Sequence, residues 1–389
     1  EDVYNSPGSI WINKNSKGKF VIPFKDDKII LESPGATPDG YKPFLDRFDI
    51  KTKESTRIWR CEEGVFERVH ILLEDDASQF LTYRESESTQ PNIWMYSKDN
   101  DGNYQKKQLS NFPHPYPWLD DIKKEIVTYN RPDGVLLSGK LLLPNSFKVN
   151  EDAPLPMLIW AYPREYTSPE AANQVKIVSS KFTTITNTSP IYWATQGYAV
   201  LLGATMPIVS QGKKSLEGAN DLFLEQLISN AETHVNEMVK RNIADPKRIA
   251  IAGHSYGAFM TANLLAHTNL FCAGIARSGT YNRSLTPFGF QSEDRTLWES
   301  GDLYYKLSPF NQAHKIKTPL LLIHGELDCN SGTYPEQSLR FYNALKGNGC
   351  ITRLVMLPFE DHSYKSKENI LHVLWETDYW LNTFVKNKE

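Results

Sequence analysis

Three residues far apart in the sequence, Ser255, Asp328 and His362, have the side-chain types that turn an alcohol into a nucleophile. The serine lies in Gly253-His254-Ser255-Tyr256-Gly257, directly after the apolar run Ile249–Ala252 and directly before the helix-like stretch Ala258–Leu265. A serine on a sharp strand-to-helix turn projects its hydroxyl above the sheet edge, and flanking glycines relieve the crowding there. The Gly-x-Ser-x-Gly pattern alone would arise by chance on the order of 0.1 times in a chain of this length, so the strand before it and the helix after it carry much of the signal. The hydroxyl needs a base, and the base needs an orienting acid, expected in the chain order Ser, Asp or Glu, His. The strand Leu320–His324 runs into Gly325-Glu326-Leu327-Asp328, which sets Asp328 just past a strand end, with Glu326 as the competing acid. The strand Arg353–Pro358 leads to Phe359-Glu-Asp-His362, which makes His362 the base. His324, at the end of an apolar strand, reads as structural, and His254, beside the nucleophile, is expected to point away from it.

Charge that develops on the attacked carbonyl needs donors. The backbone N–H of Tyr256, next after the nucleophile, is one. A second is expected from the loop after the third strand, Trp160-Ala-Tyr162-Pro163-Arg164-Glu165. That loop has no Gly-rich motif, so the candidate is the Tyr162 phenol, whose alternative role is to cap the strand. This set of groups implies no metal and no organic cofactor.

The elements that must position these groups follow from periodicity. Strands are expected at 123–129 and 135–143, paired through Pro132-Asp-Gly134, and at 157–162, 198–202, 248–252, 273–276, 319–324 and 351–357. Helices are expected at 222–241, where Leu224, Leu227, Ala231, Val235 and Met238 repeat at the helical period, at 257–267 and at 369–385. Strands alternating with helices predict an α/β architecture, a mostly parallel doubly wound sheet of the α/β-hydrolase kind over residues 119–389. Residues 1–111 read instead as β structure. Strand-like segments recur about 46 positions apart, Phe48 answering Trp94, close to the period of a propeller blade. About two blades fit, with a small irregular sheet as the alternative. Residues 112–118, Phe-Pro-His-Pro-Tyr-Pro-Trp, read as a stiff linker.

The 389 residues carry 43 basic and 46 acidic side chains, a formal net charge of −3, which gives no electrostatic reason to expect a nucleic-acid partner. No apolar run approaches the roughly 20 residues of a membrane helix. Cys61, Cys272, Cys329 and Cys350 are too scattered for a zinc motif or a disulfide scaffold; four free thiols are expected, with a single pairing left open. Two blades cannot close a propeller, and the start Glu1-Asp2-Val3-Tyr4 has no initiator Met or signal pattern. The chain thus reads as the C-terminal part of something longer, and the sequence assigns no compartment. Unclosed blades expose sheet edges, so association with itself or with a missing N-terminal propeller part is expected.

Taken together these segments resemble the prolyl oligopeptidase family of serine peptidases, in which a β-propeller precedes an α/β-hydrolase domain. Pro156–Tyr162 is similar to the segment that carries the family's oxyanion tyrosine, and Gly253–Gly257, His324–Asp328 and Asp361-His362 are similar to its triad segments. The resemblance implies that Asn330 holds a substrate backbone carbonyl. Within the family, Gly35–Gly40, Phe44–Asp49, Phe112–Pro117, Ala276–Arg283 and Thr286–Trp298 resemble the glutamyl endopeptidase branch, which cleaves after acidic residues, chiefly Glu.

A Glu side chain in a closed pocket calls for a cationic partner, and the guanidinium fork suits it. Arg283 follows the strand 273–276 where prolyl-specific relatives place an aromatic wall; Arg277 and Arg164 are the other candidates, and a surface arginine is the alternative reading. The expected function is a serine peptidase acting on peptides, cleaving after Glu through an acyl-serine intermediate. A dipeptidyl or acylaminoacyl peptidase, a carboxylesterase, and a catalytically idle piece with a binding role remain as alternatives.

Overall fold

The structure is a computed structural model that describes residues 2–174, 180–210 and 216–387. The chain divides into two compact units: Glu1–Leu119 with Gln174–Thr184, and Asp120–Asn173 with Ile185–Glu389.

The first unit is a partial β-propeller. Its two four-stranded antiparallel sheets run in the spatial orders Ser9–Ile10, Lys28–Ser33, Phe44–Asp49, Ser55–Arg60 and Phe66–Leu72, Gln79–Glu85, Asn92–Lys98, Tyr104–Gln108. Phe48 and Trp94 both lie in the third strand of their sheets, as the 46-residue spacing requires. The strand Phe66–Leu72 escaped the sequence reading because it carries Glu67, Arg68 and His70. Glu67, fully buried, accepts hydrogen bonds from Thr82 (2.6 Å), Arg84 (2.6 Å) and Tyr96 (3.1 Å), so its burial is compensated. Trp11, Ile30, Leu45, Trp59, Phe80 and Tyr96 are among the residues of this unit's own core. The proline-rich segment packs within the unit: the rings of His114 and Tyr116 lie against Phe182, whose N–H donates to Glu85 (2.9 Å).

The second unit is an α/β-hydrolase sheet of eight strands. These are β1 Ile122–Asn130, β2 Leu136–Pro144, β3 Leu155–Tyr166, β4 Ala199–Val209, β5 Ala244–His254, β6 Ala273–Arg277, β7 Leu320–Gly325 and β8 Thr352–Leu357. They lie in the order β1-β2-β4-β3-β5-β6-β7-β8, antiparallel through β1, β2 and β4 and parallel from β4 onward. Every residue of β6 and β7 is buried, the pattern of strands covered on both faces, which is why they read as unbroken apolar runs. The helices bearing on the site are α1 Phe223–Lys240, α2 Tyr256–His267, α3 Glu336–Gly347 and α4 Lys367–Leu381.

One expectation is corrected. The segment Trp160–Glu165 is not a loop: β3 continues to Tyr166, paired in parallel with β4 as far as Tyr166 to Val209, after a register shift at Trp160/Ala161. What sustains this extension was invisible to an apolar count. The buried face of α1 carries Gln226, Asn230 and His234 at four-residue spacing, and these bond the open edge of β4. Gln226 pairs with the N–H (2.9 Å) and C=O (2.7 Å) of Val209, Asn230 donates to the carbonyl of Pro207 (2.9 Å), and His234 bonds that of Thr205 (2.8 Å).

Candidate active site

Ser255 stands between β5 and α2 with φ 59 and ψ −119 degrees, a conformation that costs a non-glycine residue energy and is held here by its surroundings. Its N–H donates to the carbonyl of Arg277 at the end of β6 (2.8 Å). The two glycines are required by close approach: a Cβ on Gly253 would sit 2.3 Å from the Gly257 carbonyl carbon, and one on Gly257 would sit 2.6 Å from the Ala161 oxygen. The second contact fixes the distance between the turn and the strand that carries Tyr162. Because Tyr256 opens α2, its N–H has no intrahelical acceptor and is free to bind developing negative charge.

Asp328 and His362 are brought together. His362 Nδ1 lies 2.8 Å from Asp328 Oδ2. That contact makes Nδ1 the protonated nitrogen and leaves Nε2 as the basic one. Asp328 is 2% exposed. Burial by itself would raise its pKa, but hydrogen bonds from His324, His362 and the Asn330 N–H outweigh that and hold the carboxyl well below the usual range, so it stays ionised. Thr333 Oγ1 braces both partners, 3.1 Å from Asp328 Oδ2 and 3.1 Å from His362 Nδ1. The two loops are tied by Asp361, whose carboxylate accepts from the N–H of His362 (2.7 Å) and of Cys329 (3.2 Å). Glu326, the competing acid, is exposed. Ser255 and His362 make no direct hydrogen bond among the described residues, a bond that in empty hydrolase sites commonly tightens only with substrate. The His254 ring, next in sequence to Ser255, packs edge-on to the His362 ring with centroids 4.8 Å apart. Burial and the neighbouring imidazole lower the His254 pKa to about 3, so it is a neutral packing partner and not a rival base.

The Tyr162 phenol interacts with the Ser255 side chain and with Gln291. Burial, followed by the nearby Glu165, raises its pKa, so it remains a proton donor. The Tyr256 side chain turns the other way and donates to Glu165 Oε1 (2.6 Å).

A cavity of about 540 Å³ opens beside Ser255, within the size of small-ligand sites. Arg283, Thr280, Phe288, Gln291 and Asn330 are among the residues of its wall. Arg283 is 2% exposed, and its guanidinium packs against the rings of Phe259 (4.1 Å) and Phe290 (4.0 Å). Its Nε and Nη2 have no hydrogen-bond partner among the described residues. Burial lowers its pKa to about 10, which still leaves it charged at neutral pH. The other two arginines are not on this wall. Arg277 is buried beside Trp160, donating to the carbonyl of Thr188 (2.9 Å) and to Thr377 (3.2 Å), and Arg164 is exposed with its guanidinium over Tyr166. The Asn330 side chain accepts from the Gly332 N–H (3.2 Å) and is exposed at the cavity. Among the described residues no three His, Cys, Asp or Glu side chains are grouped to hold a metal, no helix is long and apolar enough to cross a membrane, and all four cysteines are free.

Two buried groups stand behind this site, one read from the sequence as structural and the other passed over. His324 bonds Asp328 Oδ2 (3.1 Å), the Thr333 carbonyl (2.7 Å) and Ser338 Oγ (2.6 Å). Glu165 entered only as part of the segment after Trp160; its signal was a carboxylate three residues from Tyr162, following an apolar run.

Residues 187–388 match the model of the prolyl oligopeptidase family. Over 99% of its length the chain is 49% identical to a protein of Oryza sativa subsp. japonica named "Probable glutamyl endopeptidase, chloroplastic", and 48% identical to one of the same name from Arabidopsis thaliana. It spans 42% and 41% of those two proteins, about two fifths of their length. Among solved structures, dipeptidyl peptidase 4 of Porphyromonas gingivalis superimposes with a TM-score of 0.68 over 98% of this chain and 51% of that one, at 17% identity, a likeness of fold.

Proposed function

The chain belongs to the prolyl oligopeptidase family, and from that premise we propose that it hydrolyses peptide bonds on the carboxyl side of glutamate through an acyl-serine intermediate. His362 Nε2 takes the proton of Ser255 as Oγ attacks the scissile carbonyl; Asp328 holds the imidazole and stabilises its charged form. The Tyr256 N–H and the Tyr162 phenol bind the oxyanion. The protonated His362 then gives its proton to the leaving amine, and a water activated by the same nitrogen releases the acid. Asn330 steadies a backbone carbonyl of the peptide.

The observation that carries the choice of glutamate is Arg283. Its buried guanidinium has Nε and Nη2 unbonded among the described residues, a costly state that an arriving carboxylate relieves. Elsewhere in this chain the same pair of nitrogens is the one that grips carboxylates. Arg131 holds Asp133 through Nε (2.8 Å) and Nη2 (2.7 Å). Arg295 holds Glu293 through Nε (2.7 Å) and Nη2 (2.7 Å). Such two-point contacts are the strong form of the arginine–carboxylate pair. Phe259 and Phe290 both pack against the Arg283 guanidinium, which keeps water from it and strengthens its pull on a carboxylate. The names of the two plant relatives agree with this specificity.

Two measurements test it. A fluorophosphonate should label the protein, and Ser255→Ala should abolish the label. On peptidyl anilides, Arg283→Met should cut kcat/KM for a Glu substrate by about 100-fold or more while sparing a Leu substrate. An unchanged Glu-to-Leu ratio refutes the clamp, and turnover confined to short-chain esters refutes the peptidase.

A further inference from the structure

Resting on the reading of Arg283 as the carboxylate clamp, we propose that Thr280 is a second specificity residue of the same cavity, its hydroxyl bonding the side-chain oxygen of the residue whose carbonyl Ser255 attacks. Thr280 is 3% exposed and forms part of the wall shared by Ser255 and Arg283. Its Oγ1 has no hydrogen-bond partner among the described residues. Buried hydroxyls are ordinarily bonded; the Tyr281 phenol next to it also has no partner among the described residues but is not on the cavity wall, and other hydroxyls near it are bonded. Thr261 donates to the Gly257 carbonyl (2.9 Å), Ser278 pairs with the Tyr364 phenol (2.9 Å), Thr286 donates to the Arg283 carbonyl (3.1 Å), and Thr333 bonds the Asp328–His362 pair. Thr280 and Arg283 are thus two buried side chains with unused donors on the wall of one cavity.

The segment that carries them is held from both sides. The N–H of Ser278 donates to the Ile323 carbonyl (2.8 Å), and those of Tyr281 and Asn282 donate to Gln337 Oε1 on α3 (2.9 and 2.8 Å). The Arg283 N–H donates to Ser308 Oγ (2.8 Å). A donor on a fixed backbone loses little entropy when it engages a ligand. The two groups do different work. The guanidinium supplies charge and so separates Glu from Gln; the hydroxyl supplies a short-range bond that any side-chain oxygen can accept, and so separates both from a hydrocarbon. The cavity is therefore built for an acyl residue ending in a carbonyl-type oxygen, with Glu preferred over Gln and Leu last.

The test is kcat/KM on three peptidyl anilides that differ only in that residue, Glu, Gln or Leu, for the unaltered chain, Thr280→Val and Thr280→Ser. Thr280→Val, nearly the same shape without the hydroxyl, should lower Glu and Gln by roughly 10- to 100-fold, mainly through KM, leave Leu unchanged, and label with fluorophosphonate at the unaltered rate. Thr280→Ser should recover most of the loss. The assignment is overturned if Thr280→Val lowers all three substrates alike or leaves Glu unchanged. An unaltered chain that turns over Glu and Leu equally overturns the acidic specificity itself, whereas a chain that prefers Glu and whose Glu-to-Leu ratio is unchanged by Thr280→Val overturns the Thr280 assignment alone.

Discussion

His362 commits one ring nitrogen to Asp328, and the carboxylate oxygen it uses is shared with a second imidazole, that of His324. His324 Nε2 faces two acceptors, Asp328 Oδ2 and the Thr333 carbonyl, so it carries the proton, and Nδ1 accepts from Ser338. Two imidazoles and the Thr333 hydroxyl on one buried oxygen leave the acid little freedom to swing, which is what keeps the His362 ring in one orientation. On the other side of the serine, Tyr162 does its work only if its phenol meets the oxyanion. Tyr162→Phe keeps the ring that packs on Tyr256 (5.9 Å between centroids) and removes the donor. A fall of about 10²–10³-fold in kcat with KM nearly constant is the expected result, read from steady-state kinetics; a change confined to KM assigns Tyr162 to substrate packing. Of these residues, Ser255, Asp328 and His362 were singled out as candidates from type, order and position after strands. His324 was legible only as a buried residue, because nothing in one dimension says which buried histidine faces which carboxylate.

Elements explain why the loops stay in place. The loop that bears His362 is anchored by Glu360, whose carboxylate accepts from the N–H of Lys365 and Ser366 (both 2.8 Å), the Ser366 hydroxyl (2.6 Å) and Asn369 (3.1 Å). Ser366 precedes α4 but makes no side-chain cap of its own, so Glu360 caps the helix from outside and sits against its positive end. Burial works against ionisation there, yet the bonds from Ser366 and Lys365 prevail and lower the Glu360 pKa to about 2. The folded value lies below that of an unfolded glutamate, about 4.3. The stabilisation is therefore complete above roughly pH 5 and fades as pH falls toward 2. Glu360→Gln should cost about 1–2 kcal/mol at pH 7, with the gap in denaturant midpoint closing as the pH is lowered through 4; a gap that is constant with pH disproves the charged cap. The polar ladder of Gln226, Asn230 and His234 shows the limit of pattern reading: the helix was found from its leucines, while the polar residues on its buried face, which hold the extended β4 edge beside Tyr162's strand, contribute nothing to an apolar period.

At the scale of the whole molecule, each compact unit has its own core and its own buried thiol. Cys61 lies in the core of the first unit and Cys350 in that of the second, both with pKa values raised by burial to about 11. Cys329, between Asp328 and Asn330, is exposed. In native protein a thiol reagent should modify Cys329 fast, and Cys61 and Cys350 only through opening of their own units. Peptide mapping of the labelled chain during a denaturant series then reports each unit separately. Modification of Cys61 at the rate of Cys329 would show that the first unit's core is not closed.

From the sequence alone came the hydrolase sheet, the blade-like repeat, the candidate serine, acid and histidine and the family, because a strand-turn-helix motif, the 2- and 3.6-residue periods and the order of Ser, Asp and His are properties of neighbours along the chain. The tertiary structure decided the rest. It carried β3 on through Tyr162, placed Arg283 rather than Arg277 or Arg164 on the cavity wall, and left Arg283 Nε and Nη2 and Thr280 Oγ1 without hydrogen-bond partners among the described residues. Burial and the pairing of polar groups depend on residues distant in sequence, and only the packed fold determines which donors are satisfied and which are left for a ligand.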